Sequence, residues 1–273
     1  MHALQDWPLA TRRQITGILT DIDDTLTTEG AITPDALAAL SALKTAGLDV
    51  IAITGRPVGW SEPFARDWPV NAIVAENGAV ALIASQKGLS RTSGGHVPLS
   101  KIYQAGAQAR AGNMARMQAV LARIERELPG VLRATDSPGR ETDIAIDHSE
   151  FARLSPGQIA DVVRIMRSEG LNATVSSIHI NGWFGAHNKL QGARWIVHEL
   201  FGRDLDAEMD RWLYVGDSTN DQLMFEAFGN SIGVANVRRF EAQLSHLPCY
   251  ITQGERGAGF AEVAAAVLAA RTG

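Results

Sequence analysis

Four short apolar runs, each ending in a chemically loaded turn, constrain this chain most. They are ITGILTDIDD (Ile15–Asp24), LDVIAITGRP (Leu48–Pro57), AIVAENGA (Ala72–Ala79) and RWLYVGDSTND (Arg211–Asp221). Strands buried on both faces read as continuous rather than alternating apolar runs, and that pattern predicts a parallel sheet with helices on both sides. Between the first two runs, TPDALAALSALKTAG supplies a helix: Thr33 as N-cap, Pro34 at the first position, Leu37, Leu40 and Leu43 at helical spacing, and Gly47 at the end. Strand, helix, strand makes a βαβ unit with a right-handed crossover. Ligands of such sheets bind beyond the carboxyl ends of the strands, where all four turns lie. SIGVAN (Ser231–Asn236) and CYIT (Cys249–Thr252) can extend the sheet, and GFAEVAAAVLAARTG makes a closing helix.

The middle of the chain breaks this rhythm. Ala84 to Ser100 is rich in Gly and Ser and reads as an exit from the first domain. A helix around Arg116 to Leu128 follows, then a β-pair flanking DSPGRETD, a helix over about Pro156 to Glu169, and strands near NATVSS and IHINGWF. The expected organisation is α/β: a Rossmann-like parallel core at 1–86 and 187–273, with an inserted α+β cap at 87–186. The return runs through GAHNK into a helix starting near Lys189.

Bulk properties narrow the function classes. Hydrophobic residues make up 45% and charged residues 20%, an ordinary globular balance. With 25 Lys+Arg against 30 Asp+Glu the net charge is −5, which argues against nucleic acid or an anionic membrane as partner. Cys249 is the only cysteine, so no intrachain disulfide or cysteine-rich metal site exists. The N-terminus lacks the apolar stretch of a signal peptide, and no run is long enough to span a membrane. A cytoplasmic location, as monomer or homodimer, is the expectation.

Taken alone, Asp21, Asp23 and Asp24 read as a solvated turn. Partners at three other strand ends change that reading. A carboxylate can accept a phosphoryl group as an aspartyl-phosphate. Side chains alternate along an extended chain, so Asp21 and Asp23 share one space and Asp24 points away. One acid can then attack while the other moves protons. A hard divalent cation would relieve their repulsion, and Mg²⁺ favours one or two carboxylates plus phosphate oxygens. GDSTND adds Asp217, Asn220 and Asp221 across the crevice; Thr54 and its neighbouring N–H groups can meet phosphate oxygens; and Lys189 can neutralise developing charge.

DIDDT at Asp21–Thr25, TGR at Thr54–Arg56, Lys189, and GDSTND at Gly216–Asp221 resemble, in order, the four motifs of the haloacid dehalogenase superfamily. The interval between Arg56 and Lys189 is similar to that in its Cof-like class, which inserts a large α/β cap; ENGA and Met224 are further habits of that class. The resemblance implies Asp21 as nucleophile and metal ligand, and Asp23 as general acid/base that also gives the metal its backbone carbonyl. It implies Thr54, Gly55, Arg56, Lys189 and Asn220 around the phosphoryl group, Asp217 on Mg²⁺, and Asp221 as a more remote metal partner. Asn77 either touches substrate or supports its turn. Many members have Gly where this chain has Asp24.

The implied activity is a Mg²⁺-dependent phosphatase acting on a small phosphate ester, similar to enzymes for sucrose phosphate and mannosyl-3-phosphoglycerate. A phosphomannomutase-like phosphotransferase and a non-catalytic ligand sensor on the same fold are the alternatives. Arg140, Glu141, His179 and Asn181 of the cap could read sugar hydroxyls or a carboxylate. Trp60, just past the second motif, is the tryptophan to test. The scattered histidines lack zinc-helix spacing, and GERGAG is the loop before the final helix.

Overall fold

Neighbours along a strand point to opposite faces, so a strand covered on both sides feeds two cores. The computed structural model, which describes residues 1–84 and 98–271, shows this directly. The first strands are β1 (His2–Ala3), β2 (Gly17–Thr20), β3 (Thr27–Thr28), β4 (Ala31–Ile32), β5 (Asp49–Ile53), β6 (Ala72–Ala75), β7 (Val80–Ala84) and β8 (Leu99–Tyr103). Helices α1 (Leu9–Gln14), α2 (Pro34–Thr45) and α3 (Val58–Asp67) lie among them. The middle segment contributes α4 (Ala107–Glu127), β9 (Leu132–Arg133), β10 (Ile144–Asp147), α5 (Pro156–Ser168), β11 (Asn172–Val175) and β12 (His179–Trp183). The chain closes with α6 (Lys189–Phe201), β13 (Trp212–Gly216), α7 (Gln222–Ala227), β14 (Ser231–Gly233), β15 (Tyr250–Ile251) and α8 (Arg256–Arg271).

Among the described residues, nine strands form one sheet in the order β1-β15-β14-β13-β2-β5-β6-β7-β8. Its pairings are parallel except β6–β7 and β7–β8. On one face Ile18, Val50, Ala52 and Ile73 pack with Leu40 and Leu43 of α2, Val58 of α3, and Phe260 and Val267 of α8. On the other, Leu19, Ile51, Ile53 and Tyr214 pack with Ala193, Ile196 and Val197 of α6 and Phe225 of α7. Each such Ile or Leu removed from water contributes about 1.5–3 kcal/mol, so the strand ends are firmly held. The buried face of α2 is Ala36, Ala39, Leu40 and Leu43. Leu37 sits one residue off that stripe and is 37% exposed, unlike the spacing read from the sequence.

A second sheet of four antiparallel strands, β11-β12-β10-β9 among the described residues, forms the inserted layer. Helices α4 and α5 cover one of its faces through Met117, Leu121, Ile124, Val162, Ile165 and Met166, against Ile144, Ile146 and Ile180. Period-two alternation turns His179 and Asn181 the other way, over the ends of the large sheet. The Gly/Ser-rich exit expected over Ala84–Ser100 lies outside the described residues from 85 to 97. β8 falls within the 87–186 segment yet pairs with β7 in the large sheet, so the separate α+β layer begins at α4. Among the described residues no helix is long and apolar enough to cross a membrane.

Candidate active site

Strand order reverses at β2, whose neighbours are β5 and β13. The carboxyl ends of these three strands carry Asp21, Thr54 and Asp217, which brings together residues nearly 200 positions apart. The Asp21 N–H donates to the Val215 carbonyl at 2.8 Å, so the turn after β2 stays tied to β13. Lys189 enters from α6. Asn188 caps that helix by accepting the Gln191 N–H at 2.9 Å. Helix α6 reaches the site because Gly192 packs against Gly78 backbone to backbone: a Cβ on Gly78, whose φ is +109°, would lie 2.3 Å from the Asn188 carbonyl oxygen.

Lys189 Nζ donates to Asp21 Oδ1 and to Asp221 Oδ1, each at 2.6 Å, and the lysine is 3% exposed. Asp221 also accepts the Tyr214 hydroxyl at 2.5 Å on Oδ1, and the Asp217 and Ser218 N–H groups at 2.9 and 3.1 Å on Oδ2. Four donors leave Asp221 fully occupied, and it fixes both Lys189 and the turn that bears Asp217. Asp217 Oδ2 accepts from Asn236 Nδ2 at 3.1 Å, while its Oδ1 is buried without a hydrogen-bond partner among the described residues.

This arrangement tests whether a cation fits. Asp21, Asp217 and Asp221 offer carboxylate oxygens within 4.8 Å of one another, all three buried. Lys189 balances only one of the three charges. Burial pushes Asp21 up to about 8, with Asp221 and Asp23 adding to the rise and Lys189 opposing it. Burial followed by repulsion from Asp21 and Asp221 raises Asp217 well above the usual carboxylate range. Two uncompensated charges and an orphaned Asp217 oxygen suit a hard divalent cation.

Asp23 stands outside that trio. Its Oδ1 accepts Arg56 Nε at 2.9 Å, and Thr54 Oγ1 lies 3.5 Å from Oδ2. Thr54 accepts the Arg56 N–H at 3.0 Å, closing the TGR turn. Arg56 then reaches the inserted layer: Nη2 donates to Glu150 Oε1 at 2.7 Å, and Nη1 to Glu150 Oε2 at 3.2 Å and Asp136 Oδ2 at 3.3 Å. Trp60 lies beneath its guanidinium, 4.8 Å from Cζ to ring centroid, and supports Arg56. His179 Nε2 is 2.9 Å from Glu150 Oε2.

The cap residues named from sequence are engaged in structure. Arg140 holds Asp136 and Asp143 and donates to the Gly55 carbonyl at 3.1 Å, and Asn181 donates to the same carbonyl at 3.2 Å. Glu141 pairs with Lys101 and Tyr103. Asn77 holds its turn: its N–H donates to the Thr54 carbonyl at 2.9 Å, and its side chain abuts Gly55 without reaching the cavity. Asn220 accepts from Ser218 Oγ at 2.9 Å and lines the space beside Asp21. Asp24 is not simply solvated; it sits 2.9 Å from Arg256 Nε.

Several residues escaped the sequence reading. Glu76, buried, accepts from Val58 N–H of α3 and from the Glu141 and Thr142 N–H groups, joining the two layers. Asn236, three residues past the end of β14, links Asp217, the Asp24 carbonyl and the Arg256 N–H. Its place after an apolar run was the available signal. Beside Asp21 the free space is about 10 Å³, closed over by Ser176–Ile178. Next to it a crevice of about 760 Å³ runs outward between core and cap.

Residues 18–114 match the family model of haloacid dehalogenase-like hydrolases. No curated protein sequence matches the chain. Solved structures do. That of Thermoplasma acidophilum 0175 is 16% identical with a TM-score of 0.68, covering 93% of this chain and 98% of its own. The sucrose-phosphatase of Synechocystis sp. PCC6803, solved with sucrose and phosphate, is 14% identical with a TM-score of 0.63 over 93% and 98%. A HAD/COF-like hydrolase from Plasmodium vivax is 16% identical with a TM-score of 0.66 over 96% and 99%. Over residues 18–114 the chain is similar to haloacid dehalogenase-like hydrolases, in agreement with the order of the motifs, and the solved structures share its fold.

Proposed function

We propose that the chain is a phosphatase that removes phosphate from a small metabolite, most naturally a sugar phosphate, through an aspartyl-phosphate at Asp21. The observation that carries this reading is the buried Asp21–Lys189–Asp221 bridge beside the unpartnered Asp217 oxygen. A merely structural cluster has no use for an uncompensated buried acid. Asp21 attacks phosphorus while Asp23 donates a proton to the departing ester oxygen. Asp23 then takes a proton from water, which attacks the same phosphorus and frees Asp21 and inorganic phosphate. Asp21 and Asp217 would hold Mg²⁺, with the Asp23 backbone carbonyl as a further ligand and Asp221 behind them. The cation supplies positive charge that draws the phosphate and offsets repulsion from the carboxylates. Lys189 keeps Asp21 aimed and neutralises charge on the transferring group. The sugar-phosphate class rests on likeness to the sucrose-phosphatase and on a crevice roomy enough for a phosphorylated sugar.

The test is phosphate release from a panel of sugar phosphates and phosphorylated acids, with Mg²⁺ and with chelator. Release that needs the metal and vanishes in Asp21→Asn supports the reading. Release that survives in Asp21→Asn, or none from any ester, would overturn it.

A further inference from the structure

We propose that the outer crevice takes a second anionic group on the substrate, a carboxylate or a second phosphate, between Arg153 of the cap and Arg239 and Arg256 of the core. This deepens the phosphatase reading and rests on it. The crevice of about 760 Å³ begins at Asp23, Arg56 and Asp217, and these three arginines line it with Phe151 and Phe240.

The charges of that lining separate into two groups. Toward the phosphoryl site the acids are engaged: Arg56 bridges Asp23 and Glu150, Asp24 lies against Arg256, and Asp217 belongs to the carboxylate cluster with Asp21 and Asp221. Outward, Arg153 has no ion pair among the described residues. Arg239 pairs with Glu255, but both side chains are about half exposed (53% and 51%), a contact that holds little against solvent and is easily exchanged. Glu29 is the remaining acid of the lining, and it is exposed. Guanidiniums with free forks match carboxylate and phosphate oxygens in pairs, whereas a neutral sugar offers hydroxyls and no charge to balance.

The arginines are also displayed on fixed supports. Asp147 is buried at the end of β10, and its carboxylate accepts the N–H groups of Glu150, Phe151 and Ala152 at 2.9, 2.9 and 3.2 Å. Those bonds set the loop that carries Arg153. Arg256 has φ +54°, a conformation rare for a side chain with Cβ, and its N–H is held by Asn236 Oδ1 at 2.9 Å. Asn236 in turn holds Asp217, so the position of Arg256 is referred directly to the phosphoryl site. Because Arg153 belongs to the cap and Arg239 and Arg256 to the core, an anion between them draws the two layers together.

Matched esters test this. Glucose 6-phosphate is compared with 6-phosphogluconate, and fructose 6-phosphate with fructose 1,6-bisphosphate, in the native chain, Arg153→Ala and Arg239→Ala. The expected result is kcat/KM at least about tenfold higher for one or both doubly acidic esters than for the neutral partner. That ratio should fall toward one in each variant and return in part with lysine. Preference in the first pair identifies a carboxylate, in the second a phosphate, and in both a site for either. Reading a ratio within one protein removes any general damage by the substitution. Equal kcat/KM within both pairs, or a ratio that survives both alanine variants, overturns the inference while leaving the phosphatase reading intact. No release from any of the four esters, nor from p-nitrophenyl phosphate, sinks that reading and this inference with it.

Discussion

Lys189 and Arg56, two of the buried cations that face carboxylates, are held in different ways. Lys189 is enclosed by the core alone: Asp21, Asp221 and, behind them, Tyr214. Arg56 is shared, with Asp23 on the core side and Asp136 and Glu150 on the cap side. The first set persists whatever the cap does. The second is complete only when the cap lies against the core. On the proposed phosphatase reading, the site therefore divides into a permanent nucleophile unit and a proton-transfer unit that the cap finishes.

Lys189→Met tests the permanent half and has the largest expected effect. It leaves two buried carboxylates facing each other without a cation. Phosphate release should fall by about 10²–10³-fold, and urea denaturation should show a loss of about 3–5 kcal/mol. Lys189→Arg should recover little, because a guanidinium does not fit two 2.6 Å contacts in so closed a slot. Activity near native in Lys189→Met would make the bridge a structural ion pair.

Glu150→Gln tests the shared half. Arg56 loses the charge on its cap partner, Asp23 is held less firmly, and kcat/KM should drop by about tenfold with little change in global stability. The same residue gives a pH signature. Burial raises the Glu150 carboxyl, but hydrogen bonds from His179 and Arg56 outweigh it and bring the group down to about 2 from an ordinary 4.5. The depressed folded-state value means that Glu150 stabilises fully above about 4.5, and that this support is lost as pH falls toward 2. Thermal melts from pH 5 to 2.5 should thus decline less steeply in Glu150→Gln than in the native chain. Parallel declines would place the acid sensitivity elsewhere.

The same division explains what the sequence could and could not disclose. Asp21, Thr54 and Asp217 were legible because each sits where an apolar run stops, and strand ends of a parallel sheet converge by topology. Lys189 was legible as the first helical residue after the insertion. Partners across the two layers were not. Arg140 and Asn181 looked like free polar cap residues, yet both bind the Gly55 carbonyl, a backbone atom that no residue pattern reveals. Glu76 and Glu150 look like any surface glutamate until the cap is laid on the core. Leu37 shows a smaller failure of the same kind: several helical phases fitted the leucines, and packing against α8 selected the one with Ala36 and Ala39.

Tyr214→Phe is the mildest way to probe the permanent half, because it removes one oxygen behind Lys189 and touches no reacting atom. Tyr214 is wholly buried on β13, and burial together with Asp221 and Asp21 keeps its phenol protonated and donating. Without it, Asp221 Oδ1 retains Lys189 alone. A hydrogen bond to a charged group contributes about 1.5–3 kcal/mol, so stability should fall by roughly that amount. Turnover should fall less than tenfold, since Lys189 keeps its bond to Asp21. A loss as large as that of Lys189→Met would mean that the lysine is aimed chiefly from behind, through Asp221, and that the nucleophile unit extends to the tyrosine. An unchanged melting curve would instead show that Asp221 is held by Lys189 and the two backbone N–H groups at Asp217 and Ser218, with the hydroxyl adding nothing.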